Sequence, residues 1–300
     1  MPTKAGFIAL TGKPNVGKST LMNAILGTKL SIVTPKPQTT RKSVLGIYSK
    51  DDLQIVFLDT PGVLKPKYEL HRSMMQYVSS AVSDADVVAV LIDLGEYKSS
   101  DEYFPDYFLS QLKRTGKPLI AVLNKLDKFR DRKEVLPILA TMSQESLFDE
   151  IIPLSALKNQ SIDVLLEVFE KYIPESEFYY DPELLSDRSE RFFVSEMIRE
   201  VVFTSFRNEI PYSTEVNITE FKEREEGKWY ISASIIVERK SQKIIMVGKG
   251  GEKIRKTGEK ARVEIEDHLG MPVFLDLFVV VREKWRNNKN LLDSYGYNQE

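Results

Sequence analysis

The stretch GFIALTGKPNVGKST, residues 6–20, constrains the fold more than any other part of the chain. An apolar run of strand length passes directly into a glycine-bounded loop and then into a helix start. The loop has the spacing G-x-x-x-x-G-K-[ST], with Gly12, Gly17, Lys18 and Ser19 at the fixed positions, in the strand–loop–helix context the pattern requires. Glycines let the backbone curl so that successive N–H groups point inward, and a helix N-terminus adds partial positive charge. Together these make a cradle for phosphate oxygens. Lys18 can then reach the β- and γ-phosphates, and Ser19 can offer its hydroxyl to Mg²⁺. The nucleotide-binding candidates in this loop are Gly12, Lys13, Pro14, Asn15, Val16, Gly17, Lys18, Ser19 and Thr20.

Further continuous apolar runs follow at 53–59, 86–93, 118–124 and 151–155, with helix-like segments near 17–27, 70–83, 101–115, 131–148 and 161–172. Apolar strands without alternation are those of a parallel sheet covered on both faces. The expectation is a doubly wound, mainly parallel α/β domain over residues 1–173, with ligand loops at the carboxyl ends of the strands. Residues 174–190 are acidic and proline-containing and read as a linker. Beyond them come a helix-spaced run, RFFVSEMIREVVFTSF, a hairpin-like pair around REEGK, a glycine-lysine loop with its helix, and the strand PVFLDLFVVVRE. This α-β-β-α-β order predicts a separate α+β domain over 191–300.

Three short motifs fall at strand ends in the first domain. In DTPG (59–62), Asp59 is placed to hold the Mg²⁺ shell and the Gly62 amide to sense a γ-phosphate. In NKLD (124–127), Asp127 can accept two hydrogen bonds from the N1–H and exocyclic amine of guanine. Adenine lacks that donor pair, so the ligand expected is GTP or GDP. Asn124 would brace the neighbouring loops, and the stem of Lys125 would lie along the base. In SAL (Ser155, Ala156, Leu157), the Ala156 amide can donate to guanine O6. Val63, directly after DTPG, cannot orient a water molecule, so a low intrinsic rate of hydrolysis is expected.

In this order the motifs resemble those of the translation-factor class of GTPases, and PQTTR (37–41) ahead of DTPG resembles the Era family. The resemblance implies that Thr40 binds Mg²⁺ and the γ-phosphate, with Thr39 as the rival. It places Lys18, Thr40, Gly62 and Asn15 in the catalytic machinery, and Ser19, Thr40 and Asp59 around the metal. In related GTPases an asparagine at the position of Asn15 helps hold K⁺, so K⁺ is a candidate cofactor beside Mg²⁺. Residues 34–47 are polar and suit a mobile switch loop.

The second glycine-lysine loop, VGKGGEK, lacks the spacing of the first: Gly248 and Gly251 are three apart and Glu252 follows. Gly248-Lys249-Gly250-Gly251 fits G-x-x-G, the KH-module loop that clamps the backbone of about four nucleotides of single-stranded nucleic acid. Between 239 and 262 there are nine basic residues and two acidic ones, in a chain of net charge −2, which is the local footprint of phosphate binding. Lys249, Lys253, Arg255 and Lys256 are the candidate RNA contacts with the glycines. Ile244, Ile245, Met246 and Val247 lead into the loop and Ile254 lies just beyond it; these read mostly as core, with some able to line a groove for unstacked bases, and Trp285 reads as either packed or base-stacking.

The helix–strand order is similar to a type II KH domain, and DRSERF, IPYS, VERKSQK and VGKGGEKI extend the Era-family resemblance over nearly the whole chain. That resemblance implies binding to the 3′ region of 16S ribosomal RNA, a role in assembling the 30S subunit, and peripheral membrane contact. With no cysteine, disulfides and thiolate-bound metal are excluded. No apolar run reaches the ~18 residues of a membrane span, and a cytoplasmic monomer is expected. Two other readings stay open here: an RNA-binding scaffold merely stabilised by nucleotide, and a GTPase whose basic domain docks on lipid.

Overall fold

The computed structural model describes residues 2–297. The chain divides into two compact units, one running to Lys67 and from His71 to Asp187, the other joining Tyr68–Leu70 to the chain from Arg188 onward.

The first unit is built on a six-stranded sheet of order β2-β3-β1-β4-β5-β6. Its strands are β1 (Lys4–Gly12), β2 (Val44–Lys50), β3 (Leu53–Asp59), β4 (Val87–Asp93), β5 (Leu119–Asn124) and β6 (Glu150–Pro153). All pairings are parallel except β2 with β3. Helices α1 (Lys18–Leu26), α2 (Glu69–Asp84), α3 (Ser100–Tyr103), α4 (Asp106–Arg114), α5 (Leu136–Glu145) and α6 (Ile162–Tyr172) complete it. The expected apolar runs are the central strands: Ile8, Ala9, Leu10, Val88, Ala89, Leu91 and Val122 are all sealed from solvent. Parallel register brings Gly12 level with Leu91, Leu10 with Asp59, and Asp93 with Asn124, so four strands end on one edge of the sheet.

Two departures from the sequence reading have local causes. The 34–47 segment does not stay loop to its end, because Val44–Lys50 pairs antiparallel with β3 as an edge strand. Val44 and Ile47 are buried, and Gly46 lies against Met22 of α1, where a Cβ would come within 2.8 Å of its sulfur. The helical stretch at 101–115 is broken into α3 and α4 by Pro105, whose ring disfavours helix in the preceding residue.

The segment read as a linker has no helix or strand before Glu190, yet its first part is fastened along the first unit. Pro174 accepts from the Ala5 amide, Gln54 accepts from the amides of Tyr179 and Tyr180 at 2.8 and 3.0 Å, and Leu185 accepts from Ile47.

The second unit has a three-stranded sheet of order β7-β8-β9, formed by β7 (Glu215–Lys222), β8 (Trp229–Val237) and β9 (Val273–Val281). β7 and β8 are an antiparallel hairpin, whereas β8 and β9 run parallel. Helices α7 (Glu190–Ser205), α8 (Lys240–Val247), α9 (Glu252–Leu269) and α10 (Lys289–Ser294) complete it. Buried Phe193, Ile198 and Val202 of α7 and Ala261 and Ile265 of α9 form a core with Ile231, Ala233 and Ile235 of β8. The order is α-β-β-α-α-β-α, two helices more than expected, α8 ahead of the glycine loop and α10 after the last strand. Ile244–Val247 belong to α8 and are not a core run, for Ile244 is 71% and Ile245 43% exposed while Met246 alone of the four is buried. Trp285 is fully buried and donates from Nε1 to the Ser213 carbonyl at 3.0 Å, which removes it as a base-stacking residue.

Candidate nucleotide site and nucleic-acid groove

Four loops meet at the carboxyl edge of the first sheet. The loop from Gly12 opens α1, with Gly17 as its N-cap. Lys18 turns back into this loop and donates from Nζ to the carbonyls of Gly12 and Lys13 at 3.2 and 3.0 Å. Burial pulls its pKa down to about 8, against the opposing charge of Asp59. Lys13 carries its ammonium 3.8 Å above the centre of the Tyr103 ring.

Asp59, at the end of β3, accepts from the Ser19 hydroxyl at 2.7 Å, and the Ser19 hydroxyl lies 2.9 Å from that of Thr40. The second carboxylate oxygen, Oδ1, is buried without a hydrogen-bond partner. Burial raises the pKa of Asp59, opposed by the Lys18 charge and the Ser19 hydroxyl. Three hard oxygen donors thus converge beside an unsatisfied carboxylate oxygen, a set that fits Mg²⁺. The two threonines are separated by geometry. Thr39 is occupied within its own loop, against the Thr34 hydroxyl and the Lys36 carbonyl at 2.7 Å each, whereas Thr40 faces Ser19.

The strand-end DTPG closes onto the first loop. The Val63 amide donates to the Gly12 carbonyl at 2.9 Å, and a Cβ on Gly62 would meet three atoms of Pro14 at 2.7 Å. Only glycine permits that approach. Asn15 adopts a left-handed φ of 63° and its amide donates to the Pro35 carbonyl at 3.1 Å. A cavity bounded by Asn15, Lys18, Ser19, Thr20, Thr40 and Gly62 lies at this junction.

On the other side Asn124 braces three loops. Its Nδ2 donates to the Val16 carbonyl at 2.8 Å, and its Oδ1 accepts from the amides of Lys125 and Ala156 at 2.8 and 3.0 Å. The Ala156 amide, expected to donate to guanine O6, thus lies against the Asn124 side chain at the edge of the same loop cluster. Leu157 is 73% exposed beside it. Ser155 donates to Asp127 and so orients the carboxylate expected to read guanine.

Sequence reasoning missed Asp93, a buried carboxylate at the end of β4. It holds Lys125 at 2.7 Å and Lys128 at 3.4 Å. Burial alone would raise its pKa, but the Lys125 and Gly95 hydrogen bonds and both lysine charges hold it below the usual carboxylate value. Its place at the end of a continuous apolar strand was the available signal.

In the second unit the G-x-x-G loop joins α8 to α9. Gly248, Gly250 and Gly251 have φ of 72°, 58° and 80°, and a Cβ on Gly250 would meet nothing within 4 Å. The stem of Lys253 crosses Gly248, and Lys256 pairs with Glu252 at 2.7 Å along α9. From this loop a groove with a cavity of about 440 Å³ runs between α9 and the edge strand β9, bordered by Gly251, Ile254, Arg255 and Gly258 on one side and Val273–Leu277 on the other.

Fold and sites together define a P-loop guanine-nucleotide-binding protein carrying a KH module. A family described as 50S ribosome-binding GTPase matches residues 7–125, and the KH domain family matches 209–286. The GTPase Era of Clostridium botulinum is 42% identical over 294 residues, covering 98% of both chains, and that of Clostridium kluyveri is 41% identical over 295 residues. Two solved structures superpose with a TM-score of 0.94 at 38% identity over 99% of this chain. One is a variant of Aquifex aeolicus Era bound to GDP·AlF₄⁻, the other Era in complex with MgGDPNP and nucleotides 1506–1542 of 16S ribosomal RNA. The chain belongs to the Era family of GTPases.

Proposed function

We propose that this GTPase is a slow GTP switch whose second domain holds the 3′ region of 16S ribosomal RNA during assembly of the 30S subunit. The observation that supports the reading is that one chain carries both the four loops expected to hold guanine nucleotide, residues 12–20, 59–62, 124–127 and 155–157, and an open G-x-x-G groove beside a basic helix pair. The related Era bound to both MgGDPNP and 16S nucleotides supports it. In this reading residues 1–173 form the nucleotide domain, 174–190 connect, and 191–300 bind RNA. Ser19, Thr40 and Asp59 hold Mg²⁺, Lys18 neutralises the β- and γ-phosphates, and Asp127 reads guanine. Lys249, Lys253, Arg255 and Lys256 hold RNA phosphates. The protein works in the cytoplasm as a monomer.

Val63 is 3% exposed and commits its amide to Gly12, so no side chain at this position orients water. Acceleration then comes from charge at the phosphates, and K⁺ held beside Asn15 is the candidate. Equal hydrolysis rates in K⁺ and Na⁺ buffers would exclude it.

Exposed Ile244 and Ile245 beside the basic residues of α8 are the feature that peripheral membrane contact would use. Binding to anionic vesicles that survives charge reversal of the G-x-x-G loop would favour that second use. The main test is binding of a 16S 3′-end oligonucleotide with GDP and with a non-hydrolysable GTP analogue. A difference in affinity supports a switch, because coupling requires unequal binding in the two states. Equal affinities would leave an RNA-binding scaffold.

A further inference from the structure

Gln38 lies between Pro37 and the two threonines of the segment ahead of β2, and it borders the same cavity as Lys18, Ser19, Thr40 and Gly62. Its side-chain oxygen, Oε1, is buried and has no hydrogen-bond partner within the protein. A buried amide oxygen left without a donor costs the fold free energy, which a donor on a ligand returns.

The backbone points the same way. Pro37 and Gln38 make a turn, and Gln38 adopts a left-handed φ of 61°. Turns that need positive φ ordinarily take Gly or Asn, which adopt it at least cost. Glutamine has no such preference, so the turn alone does not call for it. Residues held in this region cluster at active sites and switches, where neighbours fix them. Here the hydroxyls of Thr34 and Thr39 lie 2.7 Å apart, Thr39 donates to the Lys36 carbonyl at 2.7 Å, and the Asn15 amide holds the Pro35 carbonyl from the phosphate loop.

Hydrolysis needs a water whose lone pair is aimed at the γ-phosphorus, and Val63 offers no polar side chain for it. A primary amide can give this aim without acting as a base. Its oxygen accepts from one water O–H and fixes the direction of the lone pair. The water oxygen then bonds to the γ-phosphorus as the bond to the β,γ-bridging oxygen breaks. The electron pair leaves on GDP, and the products besides GDP are hydrogen phosphate and one proton for solvent.

We infer that Gln38 is the water-orienting residue of this GTPase, filling from the segment before β2 the role that Val63 cannot. The inference rests on the slow-hydrolysis reading above and adds the group that positions the nucleophile. K⁺ beside Asn15 would act on phosphate charge and is independent of it.

The test is the pair Gln38→Gly and Gln38→Ala in the full chain, with Mg²⁺ present. Gly suits the left-handed backbone and removes only the side chain. If the position served the turn alone, Gln38→Gly would hydrolyse GTP at least as fast as the parent. With the amide holding water, kcat should fall by about 10–10² in both variants. Affinities for GDP and for a non-hydrolysable GTP analogue should keep their parent values, because the amide meets the water and not the nucleotide. Affinity for GDP·AlF₄⁻, which mimics the transition state, should fall with kcat. The ratio of rates in K⁺ and Na⁺ buffers should be the same in variants and parent.

Parent-like kcat in Gln38→Gly would overturn the inference. So would a fall in kcat matched by an equal loss of GDP affinity, or a K⁺-to-Na⁺ ratio that changes in the variants, since the side chain would then serve the nucleotide or the cation. If Lys18→Ala still slows hydrolysis in those cases, the GTPase site stands and only the role of Gln38 falls. A parent chain that does not hydrolyse GTP would overturn both.

Discussion

Two loops of this protein look alike in sequence and are built in opposite ways. Both join glycines to a lysine at the start of a helix. In the first, Lys18 is 6% exposed, Gly17 lies so close to Asn124 that a Cβ would come within 2.2 Å of its amide, and Gly62 presses on Pro14. In the second, a Cβ on Gly250 or Gly251 would meet nothing within 4 Å. The first loop is over-determined by its neighbouring loops, and its buried Lys18 acts in a medium of lower dielectric than water. The second is open at Gly250 and Gly251, as a site for a polymer must be, and its charges act through water and salt. A small ligand gripped at every atom and a strand gripped along its backbone therefore demand different degrees of burial from the same local chemistry.

The contrast should break most sharply at Lys18. Lys18→Ala removes a buried, preorganised charge from the phosphates, and kcat for GTP hydrolysis should fall by about 10²–10³. RNA binding measured with GDP-free protein should be unchanged. Asp127→Asn should weaken GDP binding by about a hundredfold, because guanine then faces donors where it needs acceptors. Xanthosine diphosphate, whose C2 oxygen can accept from the new amide, should gain. Competition binding with both nucleotides checks this, and equal losses for the two would mean that Asp127 does not read the base.

The open loop should respond less to any one change and more to salt. Four phosphate contacts give a salt slope near −3, so raising salt from about 50 to about 200 mM should weaken RNA binding by about fiftyfold. Nucleotide affinity should barely move over the same range, since buried pairs are little screened. Similar salt slopes for both ligands would erase the distinction between the loops.

What could be read from sequence follows the same division. The central strands β1, β3, β4 and β5 and the loops at their ends were legible, because continuous apolar runs and fixed spacings leave few alternatives. β2 was hidden at the end of a polar segment, where an edge strand needs only Val44 and Ile47 to bury. α8 was hidden because Ile244 and Ile245 imitate core residues while facing solvent. Asp93 and the engagement of Ala156 by Asn124 depend on which loops meet in space, and no local pattern records that.

The smallest expected effect concerns protons. Burial has brought Lys18 down to about 8, from an ordinary lysine value of 10.5. A triphosphate placed against it favours the charged form and raises that pKa again. At pH 8 the lysine is about half protonated before binding and nearly fully protonated after, so binding should take up about half a proton. At pH 7 uptake should be close to a tenth, and affinity should decline as pH rises above about 8. For folding the sign is reversed from that of a salt-bridged lysine. A lysine whose pKa is lowered in the folded state opposes folding below that value and ceases to do so above the unfolded value, with the change falling between about 8 and 10.5. Calorimetric titration of a non-hydrolysable GTP analogue in buffers of different ionisation enthalpy measures the uptake directly. Uptake that is absent at pH 8 in the parent, or that persists in Lys18→Met, would assign the proton elsewhere.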